Sequence, residues 1–77
     1  MPHVIVKLHP GRTEQQKSRL AEQIVRDVMD IANCEEKSVS VAFEEVAPED
    51  WGEKVVEPDI LAHPERLLKK PGYPPFA

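Results

Sequence analysis

The chain has 77 residues, a net charge of −4 and a pI near 5.3. At this length it forms one domain, expected to span residues 1–77, and a domain so small hides only ~60% of its unfolded surface, so association would help it. Its lysines and arginines are scattered, which argues against nucleic acid as the main partner, and no apolar run reaches the ~18 residues of a membrane span.

The N-terminus lacks the charged-then-apolar order of a signal peptide. The single cysteine, Cys34, cannot build a disulfide framework. Both point to a reducing cytoplasm. His3, His9 and His63 are far apart in sequence and no zinc-type Cys/His spacing exists, so no metal is expected.

In chain order, the first element is a strand over about Pro2 to Leu8, where Val4, Val6 and Leu8 alternate with His3, Ile5 and Lys7. Pro2 leaves two readings open. It is a tolerated strand-start residue, or, once Met1 is removed, a free secondary amine fixed to a strand end. His9-Pro10-Gly11 breaks the strand. Thr13, with Gln16 three residues on, has the capping-box pattern of a helix start, and Glu14 suits the dipole of the first turn.

A helix is predicted from Glu14 to about Asn33. Leu20, Ile24, Val28 and Ala32 repeat every four residues, with Ala21 and Val25 in the adjoining row, and Asn33 is a suitable stop. A second strand follows from Ser38 to Glu45 or Val46, with Val39, Val41 and Phe43 alternating with Ser40, Ala42 and Glu44. A crossover of roughly twenty residues makes the two strands parallel and the connection right-handed.

Two parallel strands and one helix do not make a stable sheet in water. The natural completion is a homodimer in which two βαβ units form a four-stranded sheet. The fold class is therefore α+β. The remaining stretch, from Ala47 to Ala77, holds six of the eight prolines. Pro48 to Gly52 reads as a loop or short turn, and Val55, Val56, Ile60 and Leu61 as a helical piece. Pro64 opens a short C-terminal helix to Lys70. Tyr73 to Ala77 reads as an extended tail.

With these elements in place, the chain resembles the 4-oxalocrotonate tautomerase family. The resemblance rests on Pro2 behind Met1, the strand from Val4 to Leu8, and Gly11-Arg12-Thr13-Glu14-Gln15-Gln16-Lys17 opening the helix. Ser38-Val39-Ser40-Val41 is similar to the start of the family's second strand, and Trp51-Gly52 falls where the family places an aromatic near its site. The ending Leu68-Lys69-Lys70-Pro71-Gly72-Tyr73 and the length resemble the PptA-type branch, which is dimeric.

The resemblance implies cofactor-independent interconversion of enol and keto forms of small 2-oxo acids. Such a reaction needs a base with a pKa near working pH. A free α-amine starts near ~8 and falls on burial or beside a cation, and Val4, Val6 and Phe43 are candidates for the apolar walls. The implied site residues are Pro2 as general base, Arg12 as the ligand of the substrate carboxylate, and Trp51 as a wall that excludes water. Ser40 stands where the archetype has a second arginine. A serine donates one hydrogen bond but carries no charge, so an aryl or alkyl enolpyruvate fits better than a dicarboxylate.

Two other readings stay open at this stage. Dehalogenase relatives keep the proline protonated and use a glutamate to activate water, and Glu53 lies close to where such a glutamate occurs. Those relatives pair adjacent arginines, however, and His9 occupies the first of the two positions here. The third reading is a non-catalytic dimeric interaction module. Lys69 and Lys70 are weak candidates for an added cation, solvated lysines near a helix C-terminus being the ordinary explanation.

Overall fold

The computed structural model describes residues 1–77. The chain divides into two compact units, Met1–Ala47 and Pro48–Ala77.

The first unit is a parallel βαβ. It runs β1 (His3–Leu8), α1 (Glu14–Ala32), a 3₁₀ turn (Glu36–Ser38) and β2 (Ser40–Glu45). Both boundaries of α1 are locally encoded. The Thr13 hydroxyl accepts from the Gln16 amide at 3.1 Å, and the Gln16 side chain accepts from the Thr13 amide at 2.8 Å. Each residue thus satisfies a donor the helix start would otherwise leave open. At the other end Asn33 adopts φ 57°, ψ 61°, the left-handed stop that asparagine tolerates.

β2 begins two residues later than its alternation suggests, because the 3₁₀ turn absorbs Glu36–Ser38. The Glu35 carbonyl accepts from both the amide and the hydroxyl of Ser38, at 3.1 and 2.8 Å. Serine bonds its near backbone in this way and competes with strand pairing.

The two strands pair in parallel with His3 opposite Ser40, Val4 opposite Val41 and Val6 opposite Phe43. Alternation sends Val4, Val6, Val41 and Phe43 to one face. α1 covers that face: Lys17, Ser18 and Ala21 lie over Val41 and Phe43, and Val25 and Met29 over Val39. The other face carries His3, Ile5, Lys7, Ser40, Ala42 and Glu44, and Ile5 in its centre is 48% exposed.

The helix row that meets the sheet is Lys17, Ala21, Ile24, Val25, Val28 and Met29, all half-buried. Leu20 and Ala32, expected in the apolar row, are exposed. Lys17 takes the head of the row because its ammonium is paired with Glu14 at 3.0 Å and Glu45 at 3.7 Å, while its stem covers the sheet. No residue of this unit is fully buried.

The second unit has a 3₁₀ turn (Pro48–Asp50), a π-helical segment (Gly52–Leu61) and a second 3₁₀ turn (Pro64–Arg66). The wide helix answers Pro58 in its interior. Proline lacks an amide donor and clashes with the carbonyl four residues back, and the wider i→i−5 turn relieves both. The segment closes with the Ala62 amide on the Glu57 carbonyl at 3.1 Å. Val55 and Val56, 5% and 7% exposed, are the buried residues of the chain. The helix expected from Pro64 to Lys70 is only the single turn Pro64–Arg66. The tail is not extended: the Tyr73 carbonyl accepts from the Phe76 and Ala77 amides at 2.8 and 3.2 Å, and the two rings meet edge-on at 5.6 Å.

Candidate active site

Pro2 is half-buried at the N-terminal end of β1. Its carbonyl accepts from the Ser40 amide at 3.1 Å. This bond extends the β ladder one residue beyond the strand and fixes the proline to β2. Met1 is fully exposed. It adds nothing to the fold, so its loss leaves the structure intact and converts the Pro2 nitrogen from an amide into a secondary amine.

Ser40 acts twice. Besides holding the Pro2 backbone, its Oγ lies 2.6 Å from Nδ1 of His3. The pair spans the two strands at their registered ends, on the face α1 leaves uncovered. Sequence reasoning placed Ser40 near the site but gave exposed His3 no part in it. The missed signal was register: His3 and Ser40 are 37 residues apart, and only strand pairing brings them opposite each other.

Arg12 lies at the other end of the same strand. Its guanidinium donates from Nη1 to the His9 carbonyl at 3.2 Å. Six strand residues separate this turn from Pro2, about 20 Å at strand rise. Within one chain, therefore, Pro2 and Arg12 are not brought together. Gly11, just before the arginine, has φ +126°, a backbone shape that a side chain would strain.

Val4, Val6 and Phe43 face α1 and form the layer between sheet and helix. Trp51 belongs to the second unit, where its indole Nε1 donates to the Tyr73 hydroxyl at 3.1 Å. Glu53 is exposed in the first turn of the π-helical segment, and Lys69 donates to the Lys70 carbonyl at 3.4 Å. No group of three or more His, Cys, Asp or Glu side chains is gathered closely enough to hold a metal ion.

A strand-end proline, a βαβ unit and an arginine in the turn before the helix together define a comparison. The family model for tautomerase enzymes matches residues 2–58. The chain belongs to the tautomerase family. The match begins at Pro2 and takes in Arg12, Ser40 and Trp51. The chain is 45% identical over 73 residues to a probable tautomerase of Xylella fastidiosa, covering 95% of this chain and 89% of that one. It is 38% identical over 74 residues to the tautomerase PptA of Pectobacterium carotovorum, covering 95% and 97%. Among solved structures, YwhB, a homologue of 4-oxalocrotonate tautomerase, superposes with a TM-score of 0.59 at 35% identity, covering 60% of this chain and 75% of that one. About three fifths of the chain thus superposes on a 4-oxalocrotonate tautomerase homologue, and 95% of it aligns with a protein named PptA.

Proposed function

We propose that this protein is a cofactor-independent keto–enol tautomerase of small 2-oxo acids such as phenylenolpyruvate, acting as a homodimer in the cytoplasm with the full chain as one functional domain. The observation that carries this reading is Pro2 itself, locked by its carbonyl to Ser40 while the residue before it packs on nothing.

With Met1 removed, the Pro2 nitrogen takes the proton of the enol hydroxyl. The oxygen lone pair forms the C2=O bond, the C2=C3 electrons move to C3, and the protonated nitrogen returns its proton to that carbon. Base and acid are one group, so no external proton donor is needed. The ring fixes the direction of the nitrogen lone pair, and the Ser40 bond fixes the ring.

The substrate carboxylate is bound by Arg12 of a neighbouring copy, because the length of β1 keeps a chain's own arginine away from its own proline. A second copy is also supported by packing. The βαβ unit has no fully buried residue, and Ile5 stands half-exposed in the middle of a strand. Two such units side by side would make the larger sheet that water-stable β-structure needs. Ser40 provides a neutral hydrogen bond, and the absence of a second arginine favours monoacids.

The test is ketonisation of phenylenolpyruvate followed by absorbance, on protein whose intact mass shows that Met1 is gone. Pro2→Ala lowers kcat by about 10²-fold or more, the scale of a positioned acid–base group. An unchanged rate removes Pro2 from the mechanism.

A further inference from the structure

We infer that His3 is a further catalytic residue of the Pro2 site, a hydrogen-bond donor to the 2-oxygen of the substrate, with Ser40 as its positioning residue. This rests on the tautomerase reading above.

The argument begins with the bridge that Ser40 makes. Its amide holds the Pro2 carbonyl at 3.1 Å and its hydroxyl lies 2.6 Å from Nδ1 of His3. Both groups are thereby tied to one residue at one strand end. With the Ser40 O–H as donor and Nδ1 as acceptor, the imidazole proton sits on Nε2. That tautomer turns His3 into a fixed N–H donor whose distal nitrogen makes no hydrogen bond within the chain.

Removing the enol proton leaves negative charge on the 2-oxygen until C3 is protonated. A donor that waits at that oxygen lowers the barrier, because its orientation is set before the charge develops. Arg12 of the same chain is a strand length away from Pro2. Lys37, near the start of β2, is paired with Glu35 at 3.4 Å. His3 is the polar side chain that the fold itself ties to the Pro2 end. In the proposed complex a small acid lies across the strand end, its hydroxyl toward the Pro2 nitrogen and its 2-oxygen within reach of Nε2 of His3. His3 keeps its own proton throughout, so the proton balance of the Pro2 step is unchanged.

The two ring nitrogens can be tested separately. The amide oxygen of asparagine can accept from Ser40 as Nδ1 does, and the amide nitrogen of glutamine can donate near the Nε2 position. His3→Asn keeps a partner for Ser40 but loses the distal donor, and its kcat on phenylenolpyruvate falls about 10²-fold with little change in KM. His3→Gln keeps a donor near the Nε2 position and recovers at least tenfold over His3→Asn. A purely structural His3 gives the reverse order, with His3→Asn near wild type, and that result overturns the assignment. Nitrogen NMR of the imidazole is independent of turnover. It shows the proton on Nε2 in wild type, and a shift of the Nε2 resonance when phenylpyruvate is added. A proton on Nδ1, or an Nε2 unmoved by phenylpyruvate, also overturns the assignment. Wild-type protein without Met1 that fails to ketonise phenylenolpyruvate instead removes the tautomerase reading, and the His3 role with it. Active wild type with a fully active His3→Asn removes the His3 role alone.

Discussion

The Ser40 amide donates to the Pro2 carbonyl at 3.1 Å, and the Ser40 hydroxyl meets His3 at 2.6 Å. A single residue of β2 therefore holds both the nitrogen-bearing end of β1 and the imidazole next to it. Pairing continues to the far end, where the Val46 amide donates to the Leu8 carbonyl at 2.9 Å. The strand is clamped at both ends, and Pro2 and Arg12 are held apart by its length.

That separation has a consequence for mixed oligomers. Arg12→Ala lowers kcat/KM by about 10²-fold, the cost of a lost positioned charge. Co-expression of Arg12→Ala chains with Pro2→Ala chains then restores part of the activity, because a mixed pair contains one site with both residues intact. No recovery in the mixed sample, measured against each variant alone, would show that Arg12 serves its own chain.

Gly11 introduces Arg12 with φ +126°. The space around it is open, so an added methyl group meets no neighbour, and the cost is all in the backbone. Gly11→Ala lowers stability by about 1–3 kcal/mol, seen as a lower Tm. A Tm equal to wild type would mean that the turn relaxes to negative φ.

Lys17 links the start of α1 to the end of β2. Its pKa is raised above the ordinary lysine value, first by the hydrogen bond to Glu14 and then by the charges of Glu14 and Glu45, against an opposing effect of burial. The ammonium form is thus favoured in the folded state. Its contribution is fully present below the unfolded lysine pKa, near ~10.4, and is lost as pH rises through the higher folded value. Stability measured by urea from pH 9 upward should fall at the alkaline end, and Lys17→Met should flatten that fall. Parallel curves for the two proteins would remove Lys17 as the cause.

In the second unit two contacts of different kinds can be ranked. Trp51→Phe removes the bond to the Tyr73 hydroxyl, but Tyr73 is 40% exposed and water replaces the donor. That loss is about 1 kcal/mol or less. Val56→Ala takes two methyl groups from a side chain only 7% exposed and costs about 2 kcal/mol. Urea midpoints should place Val56→Ala below Trp51→Phe. The opposite order would make the indole, and not the valine pair, the anchor of this unit.

What the sequence determined by itself is what neighbouring residues settle among themselves. Thr13 and Gln16 cap α1 across three positions, Asn33 ends it alone, and the alternation of Val4, Val6, Val41 and Phe43 marks two strands whose long connection makes them parallel. Pro2, Arg12, Ser40 and Trp51 were legible as candidates through spacing and family resemblance. The tertiary structure decided where these meet. Strand register, across 37 residues, put His3 on Ser40 and Ser40 on Pro2, and strand length put Arg12 at the far end. Side-chain pairing with Glu45 placed a lysine in an apolar row, and Pro58 widened a helix that a hydrophobic pattern alone reads as ordinary. Local pattern specifies which element a residue belongs to. Which distant partner it meets depends on register and packing, and these exist only once the chain is folded.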